Sequence, residues 1–245
     1  MKIVTIIPAA GKGSRINLNI PKILIKIGKK RLIDLLINKV KKYSHKIVFI
    51  VNSKHKEKIK KYLDKNYKNK INFVLTLQKK PLGMFDAVFS SLKVIKNYSK
   101  IMIIWGDHIG VQNKTIKTIC KINMKEKSVL LPLLRKKNPY VEYVFSKDNL
   151  TDIYETREGD KCGKFGFSDL GTFLFYSKNF TQELKKFRKK IILGKITKEQ
   201  NFLPFILFLK KKNWNIRKII FQNKTQSEGI NTKKDIKKFQ IKYNK

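Results

Sequence analysis

Residues 2–15 read KIVTIIPAAGKGSR: an apolar, β-branched run that ends in small residues, two glycines and two cations. The composition of KIVTII predicts a buried strand over residues 2–7. Residues 8–15 leave the end of that strand bare and positive. Gly11 and Gly13 permit backbone conformations and close approaches denied to larger residues. Ala9 and Ala10 keep the strand exit open, and successive main-chain N–H groups there are expected to line up as an anion nest. Lys12 and Arg15 add charge, Arg15 as a planar fork suited to phosphate. A strand exit built this way has room for a polyanion. Two familiar phosphate loops are excluded. A P-loop needs a glycine five positions before Gly11, where this chain has Ile6, and Gly11-Lys12 is followed by Gly13. The dinucleotide fingerprint needs a third glycine where Ile16 stands.

Working outward, KIVFIV (46–51), INFVLTL (71–77) and KIMIIW (100–105) repeat the strand pattern, separated by longer Lys-bearing helical patterns. RLIDLLINKVKKY (31–43) places Leu32, Leu35, Leu36, Val40 and Tyr43 on one stripe. KHKEKIKKYLDK and MFDAVFSSLKVI continue the alternation as one helix each. The βαβαβαβ order predicts a Rossmann-like α/β fold, a mixed and mainly parallel sheet with helices on both faces. In such a sheet the ligand crevice lies beyond the carboxyl ends of the strands. PAAGKGSR, LQKKPLGMFDA and WGDHIG all fall there. After about residue 127, SVLLPLL, YVEYVFSKDNLTDIYET and DLGTFLFYS read as further strands. Helical FTQELKKFRKK and TKEQNFLPFILFLKKK come next, then the strand WNIRKIIF and a helix from about Thr232. We read one domain over 1–245, with a first half (1–126) and a substrate-facing second half (127–245), which the resemblance given below makes nucleotide-binding and acceptor-facing respectively. The aromatic residues of NFLPFILF are expected to pack a helix against the sheet.

The 245 residues carry 57 Lys+Arg against 17 Asp+Glu, a formal charge of +40. Such a field attracts polyanions. The positive residues are spread along the whole chain and are mostly Lys, so they read as solvated faces, and no specific nucleic-acid partner is expected. Cys120 and Cys162 form no CxxC or Cys/His cluster, which argues against structural zinc and a disulfide framework and for a reducing, cytoplasmic setting. His45, His55 and His108 lack metal-ligand spacing. No apolar run approaches the length of about 20 residues that spans a bilayer as a helix, so no membrane insertion is expected.

The pattern A-A-G-x-G-[ST]-R, followed by Pro21-Lys22, resembles the signature of nucleoside-triphosphate sugar-phosphate nucleotidyltransferases. Across almost the whole chain the resemblance is closest to the domain that makes UDP-N-acetylglucosamine. It implies a nucleotide-diphospho-sugar transferase fold. It also implies a site in which Ala9, Ala10, Gly11, Lys12, Gly13 and Gly106 surround the nucleotide. LQKKPLGMFDAV looks like the base-recognition stretch, which nominates Gln78 and Gly83. WGDH and SEGINTKKD look like the two metal-binding segments, nominating Asp107 and Asn231 as ligands of Mg²⁺. By physical chemistry alone, Asp107 would equally suit a strand-ending turn and Asn231 a helix N-cap. Mg²⁺ itself takes oxygen donors and keeps waters beside one or two protein oxygens and substrate phosphates. IYETREGD nominates Glu155 for the acceptor. Asp169 of SDLGTFLF stands where the family commonly has asparagine in a sugar-contacting turn. Met84 and NPYVEYV depart from the family pattern as well. No hexapeptide repeats are present, so no fused acetyltransferase domain is expected.

The implied reaction moves a nucleoside monophosphate from a triphosphate, UTP first, to a sugar 1-phosphate with release of pyrophosphate. Arg15, Lys22 and Asp107 are its expected catalytic residues, and positioning plus charge neutralisation its expected means. Two other readings stay open at this point. One is a CTP-dependent enzyme acting on a non-sugar phosphate, since the Gln78 amide presents either a donor or an acceptor. The other is a basic nucleic-acid-binding protein. Oligomeric state is not legible.

Overall fold

The structure is a computed structural model that describes residues 2–11 and 20–244. Lys12, Gly13 and Arg15 lie outside the described residues. Strand β1 (Ile3–Pro8) is followed by a 3-10 turn at Lys22–Leu24 and the short hairpin β2 (Lys26–Ile27) and β3 (Lys30–Arg31). Next come α1 (Leu32–Val40), β4 (Ser44–Val51), α2 (Ser53–Tyr67) and β5 (Phe73–Leu77). Helices α3 (Met84–Phe89) and α4 (Leu92–Ile95) precede β6 (Lys100–Ile104) and α5 (Asn113–Lys121). The second half holds β7 (Ser128–Lys137), β8 (Val141–Ser146), β9 (Asn149–Glu155), β10 (Phe165–Asp169) and β11 (Thr172–Tyr176). Helices α6 (Phe180–Arg188) and α7 (Leu203–Lys211), strand β12 (Asn215–Ile220) and helix α8 (Lys233–Asn244) complete the order.

Alternation along the central strands explains the two-faced core. On β1, Ile3 and Ile7 face one helical layer while Val4 and Ile6 face the other, and β4 and β6 repeat the division. Helices α1, α2, α5 and α8 cover the first face; α3, α4, α6 and α7 cover the second. Val4, Ile6 and Ile7 are fully buried. At about 1.5–3 kcal/mol for each such side chain, this strand anchors the sheet.

β5-β4-β1-β6 run parallel, as the sequence predicts. β11 then pairs antiparallel with β6 and with the start of β7. β10 lies on the same edge of β7, further along it, and β12 occupies the opposite edge. Hairpin β8–β9 extends from β10, which closes a ten-stranded mixed sheet. The aromatic residues of NFLPFILF do pack: Phe202 and Phe205 are buried against Phe173, Phe175 and Phe180. Among the described residues no helix is long and apolar enough to cross a membrane, and both cysteines are free.

Three of the elements named from the sequence differ from that reading, and helix α5 and the β2–β3 hairpin are absent from it. MFDAVFSSLKVI is two helices, because Ser90 Oγ donates to the Asp86 carbonyl and Ser91 Oγ to the Val88 carbonyl, bending the chain between them. The helix expected over TKEQNFLPFILFLKKK begins only at Leu203. Lys198 has a φ of 56°, which stops helical propagation, and Pro204 suits a first turn. DLGTFLFYS is split at Leu170-Gly171, so that Asp169 ends β10 and Thr172 begins β11.

Candidate active site

The carboxyl ends of β1, β5 and β6 open into one cleft. Ala9 N–H donates to the Ile50 carbonyl at 2.7 Å, and Asn52 Nδ2 donates to the Ala10 carbonyl at 3.0 Å. The Asn52 side-chain oxygen also caps α2, accepting from His55 N–H. The exit of β1 is thereby fixed to its neighbour. Gly106, just beyond β6, lies so close to β1 that a Cβ there would sit 2.3 Å from the Pro8 carbonyl oxygen. Only glycine permits that approach.

Lys22 leaves the 3-10 turn with its ammonium 2.7 Å from Asp107 Oδ2 and 3.4 Å from Asn231 Oδ1. Residues far apart in sequence therefore aim two oxygens at one positive charge. Asn231 is free to do so because the capping of α8 is done elsewhere. The Asp235 carboxylate accepts from the backbone N–H groups of Asn231 and Thr232, and Thr232 Oγ1 accepts from Asp235 N–H. The approach of the two segments is set by backbone, Ile230 N–H donating to the Asp107 carbonyl at 3.0 Å. Burial pushes the Asp107 pKa up, but the charges of Lys22 and His108 outweigh it and hold the group below its ordinary value. An anionic and a neutral oxygen converging on a cation match the donor set of a hard divalent ion. Asp107 and Asn231 thus fit Mg²⁺. Among the described residues no group of three His, Cys, Asp or Glu side chains gathers to hold a metal, so substrate oxygens and water would complete such a shell.

One part of the cleft, about 410 Å³, is lined by Ala9, Ala10, Gly11, Gln78, Gly83 and Gly106, and also by Lys22, Asp107 and Asn231. Gln78 is buried, and its Nε2 donates to the Gly83 carbonyl at 2.9 Å and to Asp86 Oδ2 at 3.0 Å. Arg188 fixes Asp86 from behind at 2.9 Å and also donates to Gln200. Gly83 has a φ of 119°, and a Cβ there would meet the Gln200 backbone at 2.7 Å. A side chain is excluded on both counts.

The other part, about 490 Å³, shares Met84, Asp107, Arg157 and Asn231 with the first, and holds Glu155 and Asp169. Glu155 ends β9 and accepts from Arg157 Nε at 3.0 Å. Burial raises its pKa, and the Arg157 charge only partly offsets that. Asp169 ends β10, accepting from Gly171 N–H at 2.7 Å and from the Tyr143 hydroxyl at 3.2 Å. Every nominated residue that the structure describes therefore lines one of two joined cavities. Arg157 and the brace formed by Asp86 and Arg188 were missed. Arg157 follows Glu155 closely enough to have been found. The sequence separation of 102 between Asp86 and Arg188 hid the brace.

The family model described as "Nucleotidyl transferase" matches residues 4–143. The bifunctional protein GlmU of Buchnera aphidicola subsp. Acyrthosiphon pisum (strain Tuc7) is 29% identical over 192 residues, covering 77% of this chain and 40% of that protein. GlmU of a Nitratiruptor species is 27% identical over 248 residues, covering 98% and 54%. The chain spans about half the length of such relatives. The fold is similar to that of the inositol-1-phosphate CTP transferase from T. maritima, with a TM-score of 0.75 at 14% identity over 98% of this chain and 95% of that one. It is equally similar to a UDP-glucose pyrophosphorylase complexed with UDP-glucose, with a TM-score of 0.75 at 17% identity over 99% and 98%. With more than half of its residues under the family model, and with the glycine-bearing strand exit, Lys22 and Asp107 gathered on one cleft, the chain belongs to the nucleotidyl transferase family.

Proposed function

We propose that the protein transfers a uridylyl group from UTP to a sugar 1-phosphate and releases pyrophosphate. The observation that carries this reading is the convergence of Lys22, Asp107 and Asn231 at the junction of the two cavities. A phosphate oxygen of the acceptor attacks the α-phosphorus. That P–O bond forms as the bond from the α-phosphorus to the oxygen bridging to the β-phosphate breaks, and the electron pair leaves with pyrophosphate. No protein nucleophile takes part. Lys12 and Arg15 are assigned to the triphosphate, and Lys22 to the reacting phosphates. Asp107 and Asn231 would hold Mg²⁺, which supplies charge neutralisation between the two polyanions when bound. The cavity walls hold both substrates in line, where positioning contributes most to phosphoryl-type transfer.

The Gln78 geometry supports uracil over cytosine. Both partners of its Nε2, a carbonyl and a carboxylate, only accept. The amide is thereby turned with Oε1 left as an acceptor for the base. Uracil offers a ring N–H to such an oxygen, whereas the equivalent cytosine nitrogen is itself an acceptor. Initial rates of pyrophosphate release with UTP, dTTP, CTP, ATP and GTP against sugar 1-phosphates test the reading. UTP is expected to be preferred, and Asp86→Ala, which releases the amide, is expected to narrow the UTP:CTP ratio about 10-fold. Absence of release with every pair, from folded protein with Mg²⁺, would overturn the reaction.

A further inference from the structure

On a chain of +40, the acceptor-side cavity is acidic. Five of the 17 carboxylates line it (Asp107, Glu155, Asp169, Glu228 and Asp235) against three Lys or Arg side chains, Lys136, Arg157 and Lys238. Four of the five are accounted for. Asp107 pairs with Lys22 at 2.7 Å and Glu228 with Lys238 at 2.8 Å, while Asp235 caps α8. Glu155 has Arg157 at 3.0 Å, but that guanidinium is shared with Glu158 at 3.8 Å and Glu199 at 3.6 Å. Asp169 is the exception. It is 6% exposed and its only described donors are the Tyr143 hydroxyl and Gly171 N–H. No Lys or Arg among the described residues forms an ion pair with it, although Lys136 lines the same cavity. A buried carboxylate without a countercharge is costly, and a neutral ligand leaves that cost in place. A protonated amine removes it, because it brings the missing charge and up to three donors to Asp169 and the remaining oxygen of Glu155. Trp105, Tyr140 and Phe202 also line this cavity, and aromatic walls suit an organic cation.

We propose that the acceptor is a phosphorylated compound carrying a protonated amine, held by Asp169 with Glu155. The inference rests on the nucleotidyl-transfer reading above and names the class of its second substrate. The bond-making step is unchanged.

The test measures kcat/KM for pyrophosphate release with UTP and Mg²⁺ at pH 7, comparing amine acceptors with neutral counterparts. Glucosamine 1-phosphate is set against glucose 1-phosphate and N-acetylglucosamine 1-phosphate, and phosphoethanolamine against glycerol 3-phosphate. On whichever scaffold reacts, the amine should exceed its neutral counterpart about 10- to 100-fold. Asp169→Asn, whose side-chain oxygen still accepts from Gly171 N–H, should lower that ratio at least about 10-fold, and Glu155→Gln should lower it less. Circular dichroism confirms that the variants are folded, and the wild-type ratio stands without them. Equal or better use of the neutral acceptor, or a ratio unchanged in folded Asp169→Asn, overturns the proposal. If no acceptor releases pyrophosphate, the reaction assigned above fails, and calorimetric titration of wild-type protein decides this inference separately. Preferential binding of glucosamine 1-phosphate over glucose 1-phosphate then supports it, and equal or absent binding overturns it.

Discussion

Lys22 Nζ lies 2.7 Å from Asp107 Oδ2 and 3.4 Å from Asn231 Oδ1, the two oxygens proposed above to hold a divalent ion. A divalent ion held by those two oxygens would have to displace the lysine. Replacing it by methionine should therefore have opposite effects on two measurements. Mn²⁺ binding to the nucleotide-free protein, followed by electron paramagnetic resonance, should tighten, while kcat/KM should fall about 100-fold. Unchanged metal affinity would argue that the three groups do not share that spot. The glycines give a second residue-scale prediction. Gly106→Ala forces a methyl to 2.3 Å from the Pro8 oxygen, and Gly83→Ala drives one into the Gln200 backbone at an unfavourable φ. Each should cost about 1–3 kcal/mol in urea unfolding. The identities of Lys22, Asp107 and Asn231 were legible because they sit in short motifs. Their mutual contact was not, since separations of 85 and 209 residues are settled only by the folded sheet.

Among the elements, the strands were legible because β-branched runs flanked by polar residues have few other uses in a sheet of this kind. Helix α5 was not. Its sequence NKTIKTICK mixes β-branched and basic residues, and its amino end is satisfied from another segment: Gln226 Oε1 accepts from Gln112 N–H at 3.1 Å and from Thr115 Oγ1 at 2.6 Å. Helix α1 carries a testable pH dependence. Its Lys39 is buried, donates to the Val111 carbonyl at 2.7 Å and has its pKa lowered to about 8, chiefly by burial and secondly by the charge of Lys242. The unfolded chain keeps that proton to about pH 10.4. Between the two values the unfolded state binds more protons, so this site makes unfolding free energy rise with pH; below about 8 its unfavourable contribution is constant. Urea unfolding of wild type and Lys39→Met should show the difference, variant minus wild type, falling by about 2–3 kcal/mol from pH 7 to pH 10. A difference independent of pH would mean that burial does not lower the lysine's pKa in the folded protein.

At the scale of the molecule, the +40 charge is dispersed over exposed lysines on many elements, while five of the 17 carboxylates line the acceptor-side cavity. Binding to a nonspecific DNA duplex should be measurable at low ionic strength and lost near ~150 mM salt, where diffuse lysine contacts are screened. Binding that survives there would point to a dedicated nucleic-acid surface. The placement of β11 has a consequence for synthesis on the ribosome. Strand β6 ends at Ile104, but the strand that covers its free edge ends at Tyr176, 72 residues later (176 − 104). At ~5–20 residues per second the nascent chain carries that open edge for roughly 4–14 s. During this interval the apolar segment IMII offers its unpaired amides to any neighbouring chain, which makes it the place where a holding chaperone would protect the newborn protein most.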